Sequence, residues 1–176
     1  MVEGPVAAAL GRLVADRWHI ATGTGLEPAD RAADSPWPAS VSADIEDRPV
    51  AIARSRPAFA GNESVDEVAA LYLGAIRRAE RLVYIENQSL TYEPVAHALV
   101  ERLRARPELE VVIITPQACE SPFETAVMDV GRKIFVEQVT AAAPTRVRVL
   151  TPESHGVSIN IHAKMMFVDD RFFTVG

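Results

Sequence analysis

"VSINIHAKMMFVDDRFFTVG", residues 157–176, alternates apolar and polar side chains as far as Lys164, then runs through two methionines, a phenylalanine and a valine to Asp169-Asp170. A period of two marks a strand, and paired acidic residues between apolar runs mark a turn, so the stretch predicts a β-hairpin. On one continuous strand Val157, Ile159 and Ile161 face a core, while Ser158, Asn160, His162 and Lys164 share the opposite side. Residues i and i+2 on one face lie roughly 6–7 Å apart at the backbone, so both cationic heads reach one phosphate-sized anion. A lysine supplies fixed positive charge. A neutral imidazole can attack phosphorus, and an imidazolium can protonate a leaving oxygen.

Working outward, strand and helix signals alternate. "VAIARS" (50–55), "RLVYIEN" (81–87), "LEVVIIT" (109–115) and "RVRVLT" (146–151) are predicted strands. Ser64 with Glu67 forms a capping box, opening a helix whose inward face holds Val68, Leu71, Tyr72, Ala75 and Ile76. A second helix is expected over 94–105, and a third from Ser121, Pro122 and Glu124 to about Thr140. The fold class is therefore α/β: a mixed β-sheet flanked by helices, ending in a hairpin that bears the His-Lys pair. Ahead of it, Pro5 and the spacing of Val6, Leu10, Leu13, Val14 and Trp18 predict an amphipathic helix over 4–19. Residues 21–49, rich in glycine and proline, form a long crossing and a candidate boundary. Two domains are expected, 1–48 and 49–176.

Composition narrows the function. With 176 residues the chain can bury a core, and no apolar run approaches the roughly 20 residues a membrane-spanning helix needs. The net charge of -6 disfavours nonspecific binding to nucleic acid. The single cysteine, Cys119, excludes an internal disulfide and a multi-cysteine zinc site, and its loop offers no neighbouring histidine to activate it. His19, His97 and His155 show no metal-ligand spacing; His97 is expected on a helix surface and His155 in a loop. Arg102, Arg104 and Arg106 suit a solvated helix C-terminus. The N-terminal residues lack the charged and apolar regions of a signal peptide, so a cytoplasmic or membrane-peripheral location is expected.

His162-Ala163-Lys164, four further residues and then Asp169 match the His-x-Lys-x4-Asp signature of the phospholipase D superfamily, whose next element begins with a glycine where Gly176 stands. "LVYIENQSLT" (82–91) resembles the segment that precedes the second of that family's two motifs, and the N-terminal helix resembles the segment that follows the first in bacterial members. The resemblance covers essentially the whole chain, most strongly at 82–91 and 157–176. It implies the C-terminal half of a two-lobed phosphodiesterase, truncated at both ends: no first His-x-Lys motif is present, and the second stops at Gly176.

The family pattern further implies a phosphohistidine intermediate without a metal or other cofactor, acting on phospholipid at a membrane surface by hydrolysis or transphosphatidylation. His162, Lys164 and Asp169 then take the catalytic motif positions: His162 as general acid and then base, Lys164 on the phosphoryl oxygens, and Asp169 as an orienting or turn residue. The expected partner is the missing first-motif half or a second copy of the chain, and not nucleic acid. A nuclease-like or cardiolipin-synthase-like relative, or an inactive half that only binds phosphate, are the alternatives. Glu86, Asn87 and Gln88 end an apolar strand where open α/β sheets place their sites, and with Asn160 they are candidate substrate-binding residues. A hairpin stopping at Gly176 also leaves an apolar edge, so low solubility is expected.

Overall fold

The computed structural model describes residues 1–26, 37–59, 61–117 and 128–176. Contacts divide the chain into two compact units, Met1–Ala53 and Arg54–Gly176. The first is built on helix α1 (Pro5–Thr22), which starts with proline in its first turn and ends at Gly23, whose positive φ of 72° suits a residue without a Cβ. The Gly23 amide donates to the His19 carbonyl at 2.8 Å, and the Trp18 indole donates to Thr24 Oγ1 at 3.2 Å. None of the α1 residues is buried.

The second unit is a five-stranded mixed sheet with helices packed on one face. Its elements are β1 (Ser55–Arg56), β2 (Val65–Asp66), α2 (Glu67–Arg78), β3 (Leu82–Asn87), α3 (Glu93–Ala105), β4 (Glu110–Ile114), α4 (Val130–Ala142), β5 (Val147–Leu150), β6 (Glu153–Ser154), β7 (Val157–Ser158), β8 (Lys164–Val168) and β9 (Phe172–Val175). The sheet order is β5-β4-β3-β8-β9. Strands β3, β4 and β5 run parallel, while β8 pairs antiparallel to β3, and β9 to β8. Alternation sends Val83 and Ile85, Val111 and Ile113, Val147, Met166 and Val168 into one core. Ile76 of α2, Leu99 and Leu103 of α3, and Phe135 and Val139 of α4 pack there too. Burying each such side chain contributes about 1.5–3 kcal/mol.

The structure corrects several expectations in detail. Residues 50–54 are not a strand, because the backbone of Arg54 is already committed: its amide donates to Glu67 Oε2 at 3.0 Å and its carbonyl accepts the Glu67 amide at 2.9 Å. The same Glu67 carboxylate binds the Arg54 guanidinium in a fork of 2.9 and 2.7 Å, so it secures the start of α2 from outside and closes no capping box with Ser64. Arg102 is not simply solvated, since its Nε donates to the Ala79 carbonyl at 2.6 Å. His97 does lie exposed on α3, beside Glu93 at 3.4 Å. Cys119, Ser121, Pro122 and Glu124 lie outside the described residues.

The largest correction concerns 157–164, which is not one strand. Val157–Ser158 pairs back on Glu153–Ser154 across a turn whose residues His155 and Gly156 both have positive φ. The Ile159 amide donates to the Pro152 carbonyl, and ladder pairing to β3 begins only at Lys164. Strand β8 starts there because its partner ends there, with Asn87 opposite Lys164. Of the three residues expected in the core, only Ile161 is buried; Val157 and Ile159 are 67% and 45% exposed.

Asp169 and Asp170 do form the hairpin turn, both with positive φ, a conformation that short polar side chains tolerate. The Asp169 carboxylate accepts backbone N–H groups from Glu80 at 2.6 Å, Arg81 at 2.8 Å and Leu82 at 2.8 Å. Its own amide donates to the Leu82 carbonyl at 3.0 Å. Partial burial pushes the carboxyl up, but the Leu82, Arg81 and Glu80 amides and the Arg81 charge together outweigh it and hold it below the ordinary carboxylate range. The folded carboxyl therefore binds its proton less readily than the unfolded one. The stabilisation is complete above the unfolded value of about 3.9 and is lost as pH falls through the lower folded value. Asp169→Asn is expected to cost about 1–2 kcal/mol at neutral pH, with the difference shrinking in acid. Urea unfolding at a series of pH values checks both.

The other sheet face carries Tyr84, Glu86, Val112, Ile114, Arg148, Leu150, Met165, Phe167, Phe173 and Val175 by alternation. Phe167 and Phe173 stack at 4.4 Å between centroids, with Tyr84 edge-on to Phe167 at 5.8 Å. Yet Phe167, Phe173, Leu150 and Val175 are 40%, 43%, 51% and 68% exposed. Sheets with parallel strands are normally covered on both sides. Replacing Phe167 and Phe173 together by threonine keeps strand propensity and removes the patch. The double variant is expected to bind less of an apolar fluorescent dye and to stay monodisperse at higher concentration by light scattering.

Candidate active site

The site assembles where parallel strands β3 and β4 end, the customary position for sites in open α/β sheets. Lys164 begins β8 beside Asn87, the last residue of β3. Its ammonium donates to Gln88 Oε1 at 3.1 Å and to the backbone carbonyl of His162 at 2.9 Å. Lys164 is half-buried and His162 exposed, so the lysine is held at the sheet end while the imidazole meets solvent. His162 lies two residues outside the strand. Its nearness to Lys164 comes from the ammonium folding back onto the His162 carbonyl and not from a shared strand face.

The remaining candidates separate. Gln88 joins Lys164 directly. Asn87 spends its side-chain oxygen on the Ser89 amide at 2.9 Å and the Leu90 amide at 3.3 Å, which turns the chain out of β3; Leu90 has a positive φ there. Glu86 is opposite Met165, on the other face from Lys164, and accepts the Tyr84 hydroxyl at 3.2 Å. Partial burial, followed by that hydrogen bond and the Glu86 charge, pushes the Tyr84 phenol up. Asn160 is exposed in the segment leading to β8. Asp169 stands at the opposite end of β8 from Lys164, so the structure does not bring it to the His-Lys pair. A groove beside α2, lined by Leu71, Arg78, Asp169, Arg171 and Phe172 among others, lies at that distant end too.

Sequence reasoning passed over four residues here. Arg132, in the first turn of α4, is buried, with its side chain 7% exposed and ion-paired to Asp129. Its Nη1 donates to the Gln88 backbone carbonyl at 3.1 Å. Gly131 lets this turn approach: an added Cβ would come 3.0 Å from Thr91 Cγ2. Thr115, just past β4, is buried, and among the described residues its hydroxyl finds no hydrogen-bond partner. The visible signals were the three-residue Asp129-to-Arg132 spacing and a threonine closing an apolar strand, neither of which announces burial.

Comparison with known proteins finds likeness among solved structures. No family model and no curated protein matches the chain. Among solved structures the chain is similar to the crystal structure of a phospholipase D family member, Nuc, from Salmonella typhimurium. The TM-score is 0.43 at 19% identity, and the match covers 59% of this chain and 59% of that one.

Because Gly131 faces Thr91 so closely, Gly131→Val is expected to cost about 1–3 kcal/mol through overpacking. Thermal unfolding beside the wild type measures it, and an unchanged midpoint would mean that the approach of α4 to the loop after β3 is not tight.

Proposed function

We propose that this chain supplies one His-Lys half of a phospholipase D-type phosphodiesterase site, with phospholipid as substrate and the head-group alcohol as leaving group. The observation that carries this reading is the state of Lys164: among the described residues both acceptors of its ammonium are neutral carbonyl oxygens, an arrangement that leaves its charge for an anion. The motif His162-Ala163-Lys164 supports reading that anion as a phosphodiester.

In the proposed sequence a second histidine, from the first-motif half or a second copy of the chain, attacks phosphorus as the bond to the head-group oxygen breaks. His162 as imidazolium gives its proton to that oxygen. It then takes a proton from water, whose oxygen attacks phosphorus and releases the second histidine. Lys164 neutralises charge that builds on the phosphoryl oxygens. A phosphate-binding half without turnover is the second reading, favoured by the single His-x-Lys pair in the sequence.

The test is release of head-group alcohol from phosphatidylcholine vesicles by the complete chain, with His162→Ala alongside. Turnover is expected to fall at least 100-fold in the variant, the scale of general acid–base catalysis. Wild-type turnover in His162→Ala would refute the assignment. Cleavage of nucleic acid but not lipid would move the chain to the nuclease-like reading. Phosphate binding with no turnover would select the second reading.

A further inference from the structure

We infer that Arg132 is a positioning residue for Lys164 and acts through Gln88. A relay of polar contacts runs from the end of β4's crossing into the site. The Asp129 carboxylate pairs with the Arg132 guanidinium, Arg132 Nη1 donates to the Gln88 carbonyl at 3.1 Å, and Gln88 Oε1 accepts from the Lys164 ammonium at 3.1 Å. Gln88 is the joint: its backbone oxygen is held from α4 and its side-chain oxygen holds the lysine.

The energetics argue that this relay has a purpose beyond stability. A buried ion pair surrounded by apolar side chains seldom stabilises more than well-packed apolar residues would, because desolvation cancels much of the attraction. Arg132 lies beside the core, 6% exposed, where Phe135 of the same helix packs as an ordinary apolar residue. What an arginine adds is direction, since its planar fork binds a carboxylate with one edge and a carbonyl with another. The recipient is a loop that needs fixing. Residues 88–92 leave β3 through the Asn87 turn and a positive φ at Leu90, and the close approach of Gly131 to Thr91 brings α4 against them. With the Gln88 carbonyl fixed, its side chain starts from a defined point and Lys164 has one orientation instead of many.

The functional consequence, tighter capture of a phosphate group, rests on the phosphodiesterase reading; the structural consequence does not. The chain has only two lysines, Lys133 and Lys164, so a Lys133→Arg background leaves one side-chain ammonium signal for nitrogen-resolved NMR. Lys133 is exposed and belongs to no part of the relay. In that background Arg132→Gln is expected to shift and broaden the Lys164 ammonium signal. It should weaken binding of inorganic phosphate about fivefold, the scale of one lost hydrogen bond. Gln88→Ala should do the same, and the double variant should be no worse than Gln88→Ala alone. A Lys164 signal unchanged in Arg132→Gln overturns the inference, as does strict additivity of the two losses. If Arg132→Gln fails to fold, Asp129→Asn and Gln88→Ala decide by the same signal, an unchanged signal in both refuting the relay. If the wild type binds no phosphate, the phosphodiesterase reading falls, and the Lys164 signal still decides the positioning role.

Discussion

The carboxylate of Asp169 bound to three successive amides at the entrance of β3 sets the geometry on which the rest of the second unit depends. A hairpin alone can slide along its neighbour, and a slip of one residue would exchange the two faces of β8. Clamping the turn to Glu80, Arg81 and Leu82 fixes Val168 opposite Val83, and every later pair follows down to Lys164 opposite Asn87. Asp169 and Lys164 are therefore linked through the register of β8 without meeting. One end of β8 is anchored so that the other end arrives at the right place.

At that other end the residues next to Lys164 in the strand pairing are engaged or turned elsewhere. Asn87 has its side-chain oxygen occupied by the backbone, and Glu86 projects to the opposite sheet face with Tyr84. Among the described residues Lys164 is thus bonded only by neutral oxygens, Gln88 Oε1 and the His162 carbonyl. A carboxylate in the same position would form a salt bridge and quench the charge. On the helix side Arg132 and Asp129 pair with each other.

The two sheet faces divide the unit's physics. One is covered by α2, α3 and α4 and carries the core; the other presents stacked Phe167 and Phe173 with substantial exposure. The expectation of an apolar surface was drawn from the hairpin edge, but the exposed aromatics lie across the face as well. This follows from alternation: a strand that buries Met166 and Val168 turns Phe167 the other way, whatever lies there.

Local pattern settled the kind and order of the main elements. The apolar runs at 82–87 and 110–114, the helix over 93–105 and the turn at Asp169-Asp170 are readable because strand alternation, helical spacing and turn chemistry are properties of neighbouring residues. The His-x-Lys pattern was legible for the same reason. Pairing decided what neighbours cannot. Val157 to Ala163 alternate like a strand, yet β3 offers no partner beyond Asn87, so the expected shared face of His162 and Lys164 never forms. The burial of Arg132 and its reach to Gln88, 44 positions away, likewise exist only once α4 packs beside the sheet. A strand needs a partner and a buried charge needs a counter-group, and both are supplied by distant parts of the chain.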